Sequence, residues 1–153
     1  MNVSEYHGAL RRAHWELLLD ADPWFEAVLA YTPPQLPEAR LFTIGNEKKP
    51  YAMCVVIPIE GGFEIKNIAT QIIMRRQGMA SALIKHVVDW ARGQGAEMVE
   101  IGTATTGHQQ IRLYQKLGFK KDGILRGYFA QYPEPIIENG QLVRDMVMLR
   151  MKL

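Results

Sequence analysis

Thr70-Gln-Ile-Ile-Met-Arg75-Arg76-Gln77-Gly78-Met79-Ala80-Ser81 joins a β-rich run to a helical one, and its reading decides the fold. Upstream, Phe63-Glu-Ile-Lys-Asn-Ile-Ala-Thr70 follows the Gly61-Gly62 turn as a strand. Downstream, Ala80, Leu83/Ile84, Val87/Val88 and Ala91 recur at helical spacing, with Lys85, Asp89 and Arg92 opposite. A strand that runs into a helix N-terminus presents unpaired backbone N–H groups and the positive end of the helix dipole. Gly78 lets the backbone approach a ligand closely, and Ala80 keeps the first turn clear of side chain. Arg75 and Arg76 add charge suited to a phosphate. An ordinary strand-to-helix turn with basic groups in water would use the same residues, and both readings stand at this point. The run carries neither GxxxxGK[ST] nor GxGxxG, which disfavours a P-loop and a dinucleotide fold.

Outward from this junction the periods alternate. Arg40–Ile44 and Tyr51–Ile59 are short β-rich runs separated by a turn-rich segment, and with Phe63–Thr70 they predict an antiparallel meander. Gly93 and Gly95 stop the long helix. Met98–Ile101 is then a strand, His108–Leu117 a second helix ended by Gly118, and Phe119–Leu125 and Arg144–Leu153 the final strands. Asn139-Gly140 signals a tight turn in the loop between them. Residues 1–31 read as helical, with Asp22-Pro23 as a helix start, although Trp15–Asp20 equally suits a short first strand. The expected fold class is α/β: a mixed, mostly antiparallel twisted sheet with a central βαβα unit flanked by helices.

The chain-wide properties bound the function. The 153 residues suit one domain, 1–153, and 48% hydrophobic content is enough for a core without disulfides. A net charge of +2, spread over scattered basic pairs, argues against a nucleic-acid surface, so any anion bound is expected to be small and local. Cys54, the one cysteine, excludes an internal disulfide and a cysteine zinc site, and its apolar run makes it a buried residue. The histidines His7, His14, His86 and His108 show no ligand spacing, which points to surface or capping roles and no metal. No apolar run approaches the roughly 20 residues that span a bilayer, and no signal core opens the chain, so a cytoplasmic address without membrane attachment is expected.

Arg75, Gly78 and Ala80 match Arg-x-x-Gly-x-Ala, and Leu113-Tyr114-Gln115-Lys116-Leu117-Gly118-Phe119 resembles a second recurrent segment. With the strand–loop–helix context, these resemble the pyrophosphate loop and "LYxKLGF" segment of the GNAT superfamily of N-acetyltransferases. Organisation carries the likeness over about residues 40–125. It extends to the C-terminus through Tyr132–Gly140 and Asp145-Met146, which look like a bacterial branch. The resemblance implies acetyl-CoA as acyl donor. Ile68, Ala69 and Thr70 would pair with its pantetheine arm, in a splayed gap between Phe63–Thr70 and Met98–Ile101. The pyrophosphate would lie on Arg75, Arg76, Gln77, Gly78, Met79, Ala80 and Ser81. The sequence departs from the family pattern at Gly102–His108, where no asparagine stands, leaving Thr105 or Thr106 as a hydroxyl substitute for holding the arm.

Tyr114 matches the tyrosine that protonates the leaving thiolate, a role that suits a phenol with an ordinary pKa near 10; a core tyrosine is its other reading. Glu64, eleven positions before Arg75, matches the strand glutamate that serves as base in the histone acetyltransferase branch. Glu100 is the alternative base, and Asn67 could also point into the cleft. No nucleophile motif appears, so direct attack by the acceptor amine is expected. Residues 126–141 carry Tyr128, Phe129, Tyr132, Glu134 and Glu138, which suit either a cationic amine or a packed hairpin and homodimer contact. A non-catalytic acyl-CoA-binding module and an interaction domain without a small ligand are the competing functions.

Overall fold

The computed structural model describes residues 1–153. The chain forms β1 (Val3–Tyr6), α1 (Arg12–Ala21), α2 (Phe25–Ala30), β2 (Arg40–Asn46), β3 (Lys49–Ile59), β4 (Gly62–Thr70), α3 (Met79–Gly93), β5 (Met98–Ala104), α4 (His108–Lys116), β6 (Lys120–Leu125), β7 (Ile137–Glu138), β8 (Gln141–Leu142) and β9 (Met146–Lys152). Seven strands make one sheet in the order β1-β2-β3-β4-β5-β9-β6. Every neighbouring pair is antiparallel except β4–β5. The expected mixed α/β sheet and its meander are therefore present.

Helices cover both faces because the central strand is apolar on both. In β3, Ala52, Met53, Cys54, Val55 and Val56 are all buried: Ala52, Cys54 and Val56 face α3, and Met53 and Val55 face α1 and α2. Leu83, Ile84, Val87, Val88 and Ala91 of α3 fill the first core. Each large side chain buried there contributes about 1.5–3 kcal/mol of transfer free energy. Cys54 is fully buried and its thiol is pushed up to about 12 by burial, in keeping with its reading as an apolar residue.

Two features of β4 set up the site. It meets β5 in parallel only from Gly62↔Met98 to Ile65↔Ile101. At Gly62 a Cβ would lie 2.0 Å from the Met98 carbonyl oxygen, so the strands come together there only because no side chain intervenes. Farther along, pairing with β3 steps from Val56↔Ile65 to Val55↔Asn67, which leaves Lys66 as the extra residue of a bulge. The bulge turns Asn67 and Ala69 toward the α1 side of the sheet.

The N-terminal region departs from expectation. Val3–Tyr6 is an edge strand paired with β2, not helix. Tertiary pairing decides it, because Val3 opposite Ile44 and Tyr6 opposite Leu41 bury apolar surface that a free helix would leave wet. Trp15–Asp20 lies within α1, so its strand alternative is not adopted. Asp22-Pro23 separates α1 from α2 instead of starting a helix; Asp22 caps the C-terminus of α1 and α2 begins at Phe25. His14 is a buried capping residue: its Nδ1 accepts from the Arg11 amide at 2.9 Å, and its Nε2 donates to the Glu47 carbonyl at 2.7 Å. The Asn139-Gly140 turn closes the β7–β8 hairpin as its sequence predicts. No helix is long and apolar enough to cross a membrane.

Candidate active site

Beyond Ile65 and Ile101 the parallel ladder ends, β4 continuing beside β3 and β5 beside β9. The facing edges of Lys66–Thr70 and Gly102–Ala104 thus carry backbone groups with no strand partner. Between them opens a cleft of about 900 Å³. The gap lies one step farther on than the resemblance implies, against Gly102–Ala104 and not Met98–Ile101. Ile68, Ala69 and Thr70 line one lip, and Leu113 and Tyr114 of α4 also line the cleft.

The N-terminus of α3 opens into the same cleft. Gly78 is its N-cap, at φ +82°, and Arg76 also takes a left-handed backbone at φ 63°. Non-glycine residues adopt that region at a cost, so the loop holds a conformation it would not choose by itself. No side chain caps the helix and its first turn holds no acidic residue. The N–H groups of Met79, Ala80 and Ser81 are therefore free of helical partners and face the cleft with the dipole behind them. Arg75 reaches back to pair with Asp20 and the Thr70 carbonyl, which fixes the loop against the end of α1.

At the other end of the cleft, Glu64 and Lys66 stand 3.8 Å apart. Burial raises the Glu64 carboxyl above its ordinary value; Lys66 lowers it and Glu100 raises it further, and the balance is upward. Tyr114 is 4% exposed, and burial pushes its hydroxyl up to about 12. Three tyrosines surround Lys66 and Asp22. Tyr31 and Tyr132 each donate to Asp22 at 2.9 Å, and Lys66 Nζ lies 3.5 Å from the Tyr128 hydroxyl. Burial first, and Asp22 next, push the Tyr31 and Tyr132 hydroxyls well above the usual phenol range.

The cleft thus brings together Glu64, Ile68, Ala69, Thr70, Arg75, Arg76, Gly78, Met79, Ala80, Ser81 and Tyr114. Gln77 and Thr105 do not line it, and the Thr105 amide instead donates to the Asp145 carbonyl at 3.0 Å. Gln109 and Gln110 of α4 supply polar side chains to the cleft instead. Glu100 is held elsewhere: it accepts from Arg150 at 2.7 and 3.1 Å, and Arg150 also contacts Asp122 at 3.1 Å. Asn67 is buried on the cleft wall, its amide nitrogen donating to the Leu18 carbonyl at 3.0 Å and to Tyr31 at 2.9 Å. The sequence reading missed Lys66 and Asp22. Lys66 stands in no motif, and Asp22 reads as a helix-start signal; only long-range packing gives either a role.

The model of the acetyltransferase (GNAT) family matches residues 9–119, most of this architecture. The chain belongs to the GNAT family. GNAT relatives in known proteins and structures agree with this. N-acetyltransferase YvbK of Bacillus subtilis (strain 168) is 38% identical over 91 residues. That match covers 59% of this chain and 59% of the relative's length, so the alignment spans under two thirds of it. The crystal structure of a GNAT family acetyltransferase from Elizabethkingia anophelis with acetyl-CoA bound superposes with a TM-score of 0.88 at 34% identity, over 99% of both chains. The Bacillus subtilis acetyltransferase in complex with CoA superposes equally well, TM-score 0.88 at 30% identity, over 99% of this chain and 97% of that one.

Proposed function

We propose that this chain is an acetyl-CoA-dependent N-acetyltransferase acting as one domain, residues 1–153, by direct attack of an acceptor amine. One observation carries the reading: the uncapped N-terminus of α3 opens into the same cleft as a half-buried carboxylate and a buried phenol. The first suits a pyrophosphate, and the other two suit the base and acid that amide formation requires. The coenzyme-bound GNAT neighbours support the same donor.

The residues divide by place. Backbone groups of Ile68, Ala69 and Thr70 face the gap and suit an extended amide-bearing arm. The amides of Gly78 to Ser81, with Arg75 and Arg76, suit the diphosphate. Bound there, acetyl-CoA supplies an activated thioester. Glu64 takes the proton that the acceptor ammonium must lose, directly or through a water, and its raised pKa brings it nearer neutrality. Tyr114 stays protonated because burial disfavours the phenolate, and it gives its proton to the departing thiolate. Glu100, locked to Arg150, is the weaker candidate for the base.

Release of CoA thiol, followed with a thiol reagent over a panel of amines, tests this. Turnover is expected with wild type, with Glu64→Gln and Tyr114→Phe folding and binding acetyl-CoA yet losing it. Wild-type rates in both variants would overturn the assignment.

A further inference from the structure

The aromatic side of the cleft is already occupied by a cation of the chain itself. Lys66 Nζ lies 5.8 Å from the Tyr128 ring centre and 5.9 Å from that of Tyr31. The Tyr128 face, which by itself suits a ligand ammonium, is therefore already taken. The Lys66 side chain is 24% exposed and its polar contacts are long: 3.5 Å to Tyr128 and 3.8 Å to Glu64. An ammonium carries three donors and favours charge-assisted bonds near 2.8 Å, so Lys66 retains capacity for a stronger acceptor. Burial disfavours its charge, but Glu64, Tyr128 and Asp22 outweigh that and hold its pKa up, so it remains a cation and not a nucleophile.

A lone ammonium brought to Glu64 would sit beside this cation and be repelled. A ligand carrying both charges on neighbouring atoms would meet both partners. Asp22 and Glu138 also carry negative charge along the cleft, but both Asp22 oxygens already accept from Tyr31 and Tyr132, and neither carboxylate stands within ion-pair distance of Lys66, which keeps its capacity for a ligand carboxylate. Tyr128, Phe129 and Tyr132 line the cleft next to the pair and form an aromatic wall, with ring centres 5.0–6.2 Å apart.

We propose that the acceptor is a free α-amino acid with an apolar side chain: its ammonium goes to Glu64, its carboxylate to Lys66 and its side chain to the aromatic wall. The inference rests on the acetyltransferase reading of this cleft. In the transfer, the amine nitrogen forms the C–N bond as the thioester C–S bond breaks. The ammonium gives one proton to Glu64 before attack, the thiolate takes the Tyr114 proton, and the second N–H proton, lost as the amide forms, restores Tyr114; an N-acetyl amino acid and CoA result, and Glu64 releases its proton to solvent. Lys66 keeps its proton throughout and acts on specificity.

The test compares L-phenylalanine, L-phenylalaninamide and phenylethylamine as acceptors for wild type, Lys66→Met and Lys66→Arg, with CoA release and acetyl-CoA calorimetry as readouts. The free acid should exceed both carboxylate-free amines in kcat/KM by at least about 10-fold, the worth of a charge-assisted hydrogen bond. Lys66→Met should erase that gap through the KM of the free acid, and Lys66→Arg should restore most of it. Carboxylate-free amines that match the free acid in wild type, or a gap that survives in Lys66→Met, would overturn the proposal. Should Lys66→Met fail to fold, the wild-type ratios decide. Acetyl-CoA binding with none of the three acceptors modified would overturn this proposal alone. Absence of acetyl-CoA binding would overturn the underlying reading as well.

Discussion

The Tyr132 hydroxyl donates to Asp22 Oδ1 at 2.9 Å, joining residues 110 positions apart in the chain. The second oxygen of Asp22 accepts from Tyr31 at 2.9 Å, and Tyr31 in turn accepts from Asn67 of β4. One carboxylate between α1 and α2 thereby ties the 126–141 segment to the cleft-lining strand. Hydrogen bonds chained in this way strengthen one another and stiffen the wall, although Asn67 Oδ1 is buried there without a partner.

Asp22→Ala should therefore act at a distance from the chemistry. It strands two phenols in a half-buried setting, for an expected loss of about 1–3 kcal/mol. Urea midpoints would show it. The acceptor KM should rise while acetyl-CoA affinity stays near wild type, since the side-chain hydrogen bonds of Asp22 go to Trp24, Tyr31 and Tyr132 and none to α3. An unchanged acceptor KM in a stably folded variant would show that the network does not shape the pocket.

The pH profile of kcat/KM should carry an acid limb above the ordinary glutamate value of about 4.3. Glu64 works as a base only when ionised, and burial raises its pKa, so activity falls as pH drops through that raised value. Lys66 lowers the same pKa, so Lys66→Met should move the limb to still higher pH. Glu64→Gln should remove it. A limb that stays in place in Glu64→Gln would assign the base to another group.

Tyr114→Phe removes one hydroxyl and little volume, so the core of which it is part should hold. The expected signature is a fall in kcat of about 10²-fold or more with acetyl-CoA affinity kept. In wild type its hydroxyl sits at about 12, so no alkaline limb from Tyr114 should appear at moderate pH. Equal kcat values for wild type and variant would leave Tyr114 a core residue only.

Gly62→Ala probes the junction that opens the cleft. Its Cβ would press on the Met98 carbonyl at 2.0 Å, and backbone must move to admit it. A loss of about 3 kcal/mol or more is expected, at the upper end for single substitutions. A denaturant midpoint near wild type would show that β4 and β5 are not held together at that point.

Legibility in the sequence followed the range of the interactions. The α3 stripe, the meander and the Gly78 loop are local patterns, and periodicity or turn chemistry reveals them directly. The edge strand at Val3–Tyr6 is not local, because it exists through its pairing with Ile44–Leu41. The site divides the same way. Arg75 to Ser81 and Tyr114 stand in contiguous motifs. Lys66 owes its position to a one-residue bulge in β4, and Asp22 to partners 9 and 110 residues away. Glu100 fails as a cleft residue because Arg150, on the neighbouring β9, captures it. No strand-level pattern signals a cross-strand ion pair of that kind.

Calorimetric titration of wild type and Ala80→Glu with acetyl-CoA decides whether the α3 N-terminus holds the coenzyme's pyrophosphate. A carboxylate in the first turn of α3 complements the helix dipole, so the variant should fold with equal or slightly greater stability, by up to about 1 kcal/mol. The same carboxylate repels a diphosphate from those amides. Saturable binding by wild type, with affinity lost by about 100-fold or more in an Ala80→Glu protein that melts no lower, is the predicted result. Wild-type affinity in Ala80→Glu, or no binding by wild type itself, would contradict it.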